Sequence, residues 1–207
     1  MLPGGAFGRP RRARVETELY IVTGNAGKLR EAQLILAEYG IRLRQAPIEK
    51  LEVQDDDVVR IAEVAARDAY SRLRAPLIVD DTGLYVEVLN GFPGPYSSYF
   101  LERVGLRGLL KLMEGVANRG ACFRTGLAYA DEGGVRTFVG EACGTIAEAP
   151  RGSNGFGYDP VFMPDGETRT FAEMSVEEKD RVSHRGRALR AFAEWYSHAL
   201  LSQGGKT

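Results

Sequence analysis

At 207 residues the chain is long enough to bury a sizeable core, as one large domain or two small ones. Its 27 Lys+Arg against 28 Asp+Glu leave a near-neutral balance, which argues against a general binder of nucleic-acid polymers or membrane surfaces. No apolar run approaches membrane-spanning length, and the two cysteines, Cys122 and Cys143, lack metal-ligand spacing; they read as reduced, packed thiols of a soluble cytoplasmic protein.

Residues 1–17 are rich in Gly and Pro and carry Arg9, Arg11, Arg12 and Arg14 without an apolar signal core, so they are expected to form a flexible basic extension. From residue 18 onward no repeat, low-complexity tract or linker divides the chain, and residues 18–207 are expected to form a single domain.

Leu19-Tyr20-Ile21-Val22 is β-prone and nearly all apolar, as a central strand would be. Thr23-Gly24-Asn25-Ala26-Gly27-Lys28 then turns into a helix with Leu29, Ala32, Leu36 and Tyr39 close to one face. Such a βα turn leaves backbone N–H groups free at the helix N-terminus, where the dipole favours an anion, and Lys28 adds a full positive charge there. It is not a P-loop: Gly24 and Gly27 are too close together, and Leu29 stands where the magnesium-binding hydroxyl should be. Any metal ligand must therefore come from elsewhere in the chain.

Gly40 is a plausible end to that helix, and residues 41–45 read as a second strand. Asp55, Asp56 and Asp57 precede a helix that buries Val58, Ile61, Ala62, Ala65, Ala66 and Ala69; capping and dipole pairing account for them. Glu52, in the loop upstream, has no capping duty and is the better ligand candidate. A short strand over 77–79 is expected to end in Asp80-Asp81-Thr82-Gly83, and two adjacent carboxylates there are costly unless cations satisfy them. In open α/β sheets that position faces the ligand crevice.

Residues 85–89 read as a further strand, followed by a Gly- and Pro-rich stretch over 90–96 and two short helices. Apolar runs over 121–130 and 135–143 flank Asp131-Glu132-Gly133-Gly134, a strong hairpin signal. The loop over 151–160 carries Phe156 and Tyr158 among glycines, whose rings could stack on a base or plug the core. Ser175 and Glu178 form a capping box. Lys179, His184 and Arg185 then make a compact cationic group ahead of a final amphipathic helix. Interleaved strands and helices with one hairpin imply an α/β fold with a mixed sheet.

Taken together these segments resemble one family, the inosine triphosphate pyrophosphatases or XTP/dITP diphosphatases. Thr23 to Lys28 is similar to its T-x-N-x-x-K phosphate loop, and Asp80-Asp81-Thr82-Gly83-Leu84 through Asn90-Gly91-Phe92-Pro93-Gly94 to its acidic centre and the following loop. Gly155-Phe156-Gly157-Tyr158-Asp159-Pro160, Phe171-Ala172-Glu173-Met174, Lys179 and Ser183-His184-Arg185 match its later blocks in order, so the likeness covers residues 19–192.

The resemblance implies an elongated mixed β-sheet flanked by helices, in two lobes about a central cleft, and a homodimer. It implies Mg²⁺-dependent hydrolysis of ITP, dITP and XTP to the monophosphate and pyrophosphate. Asp81 would be the proton acceptor and, with Glu52, a metal ligand. Thr23, Gly24, Asn25, Ala26, Gly27, Lys28 and Thr82 would hold the triphosphate, with Lys179 a further contact. Phe156, Gly157, Tyr158, Asp159, His184 and Arg185 would hold the base. Two positions depart from the family: a lysine of its second helix is Arg67 here, and a lysine after its Pro-Gly-x-Tyr turn is Ser98. An unaided carboxylate is a poor base for bulk water, which is why Asp81 and Glu52 are expected at one metal ion. Selectivity is expected from Arg185 and a protonated His184, donors that accept a 6-keto purine and reject the 6-amino group of adenine.

Overall fold

The computed structural model describes residues 18–203, and the expected N-terminal extension lies outside them. The chain runs β1 (Glu18–Ile21), α1 (Ala26–Glu38), β2 (Arg42–Gln45), α2 (Val58–Leu73), β3 (Leu77–Val86), β4 (Pro93–Gly94), α3 (Ser97–Arg103), α4 (Gly105–Leu112), β5 (Gly120–Asp131), β6 (Gly134–Ile146), β7 (Phe162–Pro164), α5 (Val176–Val182) and α6 (His184–Gln203). One mixed sheet has the order β2-β1-β3-β5-β6-β7, with β4 paired to β3. β1 is parallel to both β2 and β3, and the remaining pairings are antiparallel. No described helix is long and apolar enough to cross a membrane.

Local chemistry sets the helix starts. The Asn25 side chain accepts from Lys28 N at the head of α1, and Asp57 accepts from Val59 N at the head of α2, each cap stabilising its helix by about 1 kcal/mol. Asp55 accepts from Asp57 N and pairs with Arg60, so Asp55 and Asp57 serve the start of α2. Ser175 and Glu178 close the expected capping box at the head of α5. α2 buries Val58, Ile61, Ala62, Ala65, Ala66 and Ala69 against β3 and β5. Its first turn rides directly on Gly126, where a Cβ would stand 2.6 Å from Val58 O.

Three cores lie along the long strands, the third packing Leu77, Val79, Ala128 and Ala130 under the alanine face of α2. Ile78, Leu127 and Tyr129 pack with Leu19, Ile21, Ile35, Leu36, Leu189 and Phe192 at one end. Leu84, Val86 and Phe123 pack with Phe100, Leu109, Met113, Phe162 and Phe171 at the other. β3 and β5 therefore contribute to both lobes.

Three expectations are corrected. β3 does not end at the acids: it continues to Val86, with Asp80, Asp81, Thr82 and Gly83 opposite Leu127, Gly126, Thr125 and Arg124 of β5. The full-length β5 partner carries the strand through a polar stretch that looks like a terminus in sequence. The expected strand over 85–89 is instead the tail of β3 followed by a 3-10 turn, Glu87–Leu89. Finally, Cys122 and Cys143 are not reduced thiols but a disulfide, because the hairpin register sets them directly opposite one another.

Candidate active site

The backbone pairing of β1 with β3 runs out at Ile21 and Ile78, where β1 gives way to the Thr23–Lys28 loop. On that side β3 has no strand partner again until β4 joins it at Leu84, so its acids face the crevice beyond the carboxyl ends of parallel strands. The loop is folded by its own polar groups: the Thr23 hydroxyl accepts from Asn25 N at 3.1 Å, and Gln45 Nε2 donates to Thr23 O at 2.8 Å. Lys28, one turn into α1, reaches Asp80 Oδ2 at 3.1 Å.

Strand alternation splits the acidic centre. Asp80 and Thr82 meet Arg185, whose Nε donates to Asp80 Oδ2 at 3.1 Å and whose Nη2 donates to Thr82 Oγ1 at 3.2 Å. Asp81 turns to Lys50, whose Nζ lies 2.5 Å from Asp81 Oδ1 and 3.3 Å from Glu52 Oε2. Glu52 thus joins Asp81 through a shared ammonium.

The opposite wall is a buried ion network. Arg185 Nη1 donates to Glu31 Oε2 at 2.7 Å, and Lys179 Nζ donates to Glu31 Oε1 at 2.7 Å and to Asp159 Oδ2 at 2.6 Å. Asp159 Oδ2 also accepts from Phe156 N at 2.7 Å, fixing the aromatic loop. Lys179 Nζ and Arg185 Cζ stand 4.7 and 5.6 Å from the Phe156 ring centroid. The two aromatics divide the roles left open by the sequence. Phe156 is half-buried at the cleft, while Tyr158 is buried in the second core with its hydroxyl on Ser97 O.

His184 is stacked on Phe123, with ring centroids 4.6 Å apart, and its Nδ1 is 2.6 Å from Thr125 Oγ1. Thr125 Oγ1 is in turn 2.7 Å from Thr82 Oγ1. Burial holds the imidazole well below its usual range, reinforced by Arg185 and Lys179, so His184 is neutral. This corrects the expected protonated histidine. Arg185 can only donate to Thr82, which favours a relay with the Thr82 hydroxyl donating to Thr125 and Thr125 donating to Nδ1; the proton then resides on Nε2. A neutral His184 remains a hydrogen-bond donor in that arrangement.

Burial would raise the Asp80 carboxyl, but Lys28 and Arg185 bring it far below the ordinary range. Glu31 behaves alike: burial opposes ionisation, and Arg185 and Lys179 overcome it. Burial pushes Asp81 up despite Lys50 and Lys28, giving a more basic carboxylate than its neighbour. Two acids adjacent in sequence therefore differ: Asp80 is held charged by Lys28 and Arg185, and Asp81 keeps the more basic carboxylate.

A cleft of about 610 Å³ brings together Thr23, Gly24, Asn25, Lys28, Glu52, Asp81, Thr82, Phe156, Gly157, Tyr158, Asp159, Lys179, His184 and Arg185. Ala26 and Gly27 lie behind this lining at the start of α1; Gly27 is pressed against the Phe156 ring, where a Cβ would come 2.4 Å from Cδ1. Arg67 is a correction: it projects from the solvent side of α2, pairs with Glu63 at 2.8 Å and does not line the cleft. The α2 face turned inward is the alanine face, so a side chain at 67 points away. Lys50, Glu31 and Thr125 were not singled out from sequence. Glu31 had one signal, a carboxylate one position before Ala32 on the apolar face of α1; Lys50, a lone loop lysine, had none.

A sequence profile described as the Ham1 family matches residues 19–195. The dITP/XTP pyrophosphatase of Methanopyrus kandleri is 50% identical over 187 residues, covering 90% of this chain and all of that protein. That of Hyperthermus butylicus is 50% identical over 177 residues, covering 86% and 93%. Among solved structures, a HAM1 protein from Coxiella burnetii superposes with a TM-score of 0.77 at 30% identity, covering 87% of this chain and 98% of its own. The nucleoside-triphosphatase / dITP/XTP pyrophosphatase of Mycobacterium abscessus gives 0.66 at 34% identity, covering 85% and 98%. With its fold and nearly its whole described length shared in this way, the chain belongs to the Ham1 family.

Proposed function

We propose that the protein is a nucleoside triphosphate pyrophosphatase that converts dITP, XTP and ITP to the monophosphate and pyrophosphate with Mg²⁺. The observation that supports this most directly is a single cleft lined by the Thr23–Lys28 turn, the Asp81–Glu52 pair and the Phe156–His184–Arg185 wall. Relatives half identical in sequence carry the name dITP/XTP pyrophosphatase.

The donor set fits magnesium. Asp81 and Glu52 offer hard carboxylate oxygens that already meet at one cation, and Asp80 keeps a buried Oδ1 with no hydrogen-bond partner. Asp81 and Glu52 would hold the ion, which when bound neutralises polyphosphate charge and polarises the phosphoryl group.

The chain's own groups do the rest. The free N–H groups at the α1 N-terminus receive phosphate oxygens, and Lys28 beside them adds charge. Asp81 accepts a proton from the attacking water as its oxygen bonds to the α-phosphorus; the bridging oxygen leaves with pyrophosphate in one step. Arg185 uses three of its five N–H donors on Asp80, Glu31 and Thr82, which holds the guanidinium rigid and leaves two for ligand. With Nε2–H of His184, these donors suit the 6-keto oxygen of hypoxanthine or xanthine. An adenine amino group there sets donor against donor, a mismatch costing about 1–3 kcal/mol per buried group.

The test is a panel of ITP, XTP, dITP, ATP and GTP with Mg²⁺, with products identified. Pyrophosphate plus monophosphate from the 6-keto non-standard purines is the expected result. Orthophosphate released directly, or equal turnover of ATP, would overturn the reading.

A further inference from the structure

Lys50 is the one cation in ion-pair contact with Asp81 and Glu52 among the described residues. Asp80 and Asp159 of the cleft and Glu31 behind it are already paired: Asp80 with Lys28 and Arg185, Glu31 with Lys179 and Arg185, and Asp159 with Lys179. The two carboxylates assigned to the metal therefore share a single internal ammonium. Its side chain is nearly enclosed, whereas that of Glu52 is mostly exposed, so the ammonium is seated against Asp81 from within while Glu52 closes over it from the rim.

We propose that Lys50 is a resident cation of the metal site, occupying the carboxylate pair in the nucleotide-free protein and yielding it when the metal arrives with the triphosphate. This rests on the metal assignment made above. Lys50 Nζ is 2.5 Å from the Asp81 Oδ1 that a divalent ion would take, and the ammonium's charge would repel a divalent ion arriving at that oxygen. Lysine is suited to yielding: its charge is a compact point on a flexible four-carbon stem, unlike the forked guanidinium of Arg185. Lys50 also lines the cleft together with Thr23, Gly24 and Lys28, so a triphosphate bound there gives the displaced ammonium a polyanion to engage. The exchange leaves Asp81 and Glu52 in contact with a cation in both states. It also makes metal and nucleotide binding mutually reinforcing, because each removes an obstacle to the other.

The test uses Mn²⁺ as a paramagnetic probe, titrated into nucleotide-free protein and followed by electron paramagnetic resonance. Lys50→Met is expected to bind Mn²⁺ about tenfold more tightly than wild type, and Lys50→Arg, which keeps the charge, to stay close to wild type. Adding an α,β-methylene analogue of dITP should tighten Mn²⁺ binding in wild type, and by about tenfold less in Lys50→Met. Lys50→Gln repeats the comparison should Lys50→Met fail to fold. Unchanged or weaker Mn²⁺ binding on removing the charge overturns the proposal, as does tightened binding that survives Glu52→Gln in the Lys50→Met background. Wild type that releases pyrophosphate from dITP while the lysine variants bind Mn²⁺ unchanged refutes this inference alone. Absence of both pyrophosphate release and Glu52-dependent Mn²⁺ binding refutes the functional reading with it.

Discussion

Arg185 Nη1 donates to Glu31 Oε2 at 2.7 Å, tying the first turn of α6 to the buried face of α1 across 154 residues of sequence. Because Lys179 uses the other oxygen of the same carboxylate, Glu31 is the counter-ion for two buried cations. Glu31→Ala leaves Lys179 with Asp159 and Arg185 with Asp80 as their remaining carboxylates, and is expected to cost about 3 kcal/mol of stability, measurable by urea denaturation.

Asp81→Asn removes the proposed proton acceptor while retaining shape. The kcat for dITP is expected to fall at least about a hundredfold. Asp80→Asn should behave differently, since its charge anchors Lys28 and Arg185: it is expected to lower stability as well as activity. Steady-state kinetics beside thermal melts separate the two.

Gly27→Ala tests the seat of the aromatic ring. The added methyl would stand 2.4 Å from Phe156 Cδ1, and the ring is tied through its backbone to Asp159 and hence to Lys179. The ring must shift, and a misplaced wall of the base site is expected to lower kcat/KM between about tenfold and a hundredfold while far-ultraviolet circular dichroism is unchanged.

Asp180 supplies a pH prediction. Burial, reinforced by Glu31, pushes its carboxyl up to about 7, and its Oδ1 has no hydrogen-bond partner. An aspartate in the unfolded chain loses its proton near about 3.9, so between that pH and about 7 the folded state holds more protons. Stability contributed at this position therefore falls as pH rises through that window and is level above it. Asp180→Asn, uncharged at every pH, should match wild type near pH 4 and exceed it at pH 8. Denaturant midpoints across that range check the sign.

Features that depend on neighbouring residues were legible in the sequence. The Thr23–Lys28 turn, the Asp57 and Ser175 caps and the hairpin about Glu132 and Gly133 all form where their side chains indicate. Features that depend on a distant partner were not. β3 reads as finished at Asp80 until β5 lies alongside it, and Lys50 acquires meaning only when the loop over 50–52 folds onto Asp81. His184 looks like a cation beside Arg185, yet burial and that same neighbour hold it neutral. The disulfide was the one distant pairing within reach: counting nine residues outward from the Asp131–Gly134 pair on each strand arrives at Cys122 and Cys143.

The continuity of β3 carries a mechanical implication. Leu77, Ile78 and Val79 are gripped by one lobe, Leu84 and Val86 by the other, and the acids occupy the short span between. Any breathing of the two halves around a guest must flex the sheet across this span, so it acts as the fulcrum. A fulcrum travels least, so Asp80 and Asp81 are the part of the cleft expected to shift least when its two sides move apart.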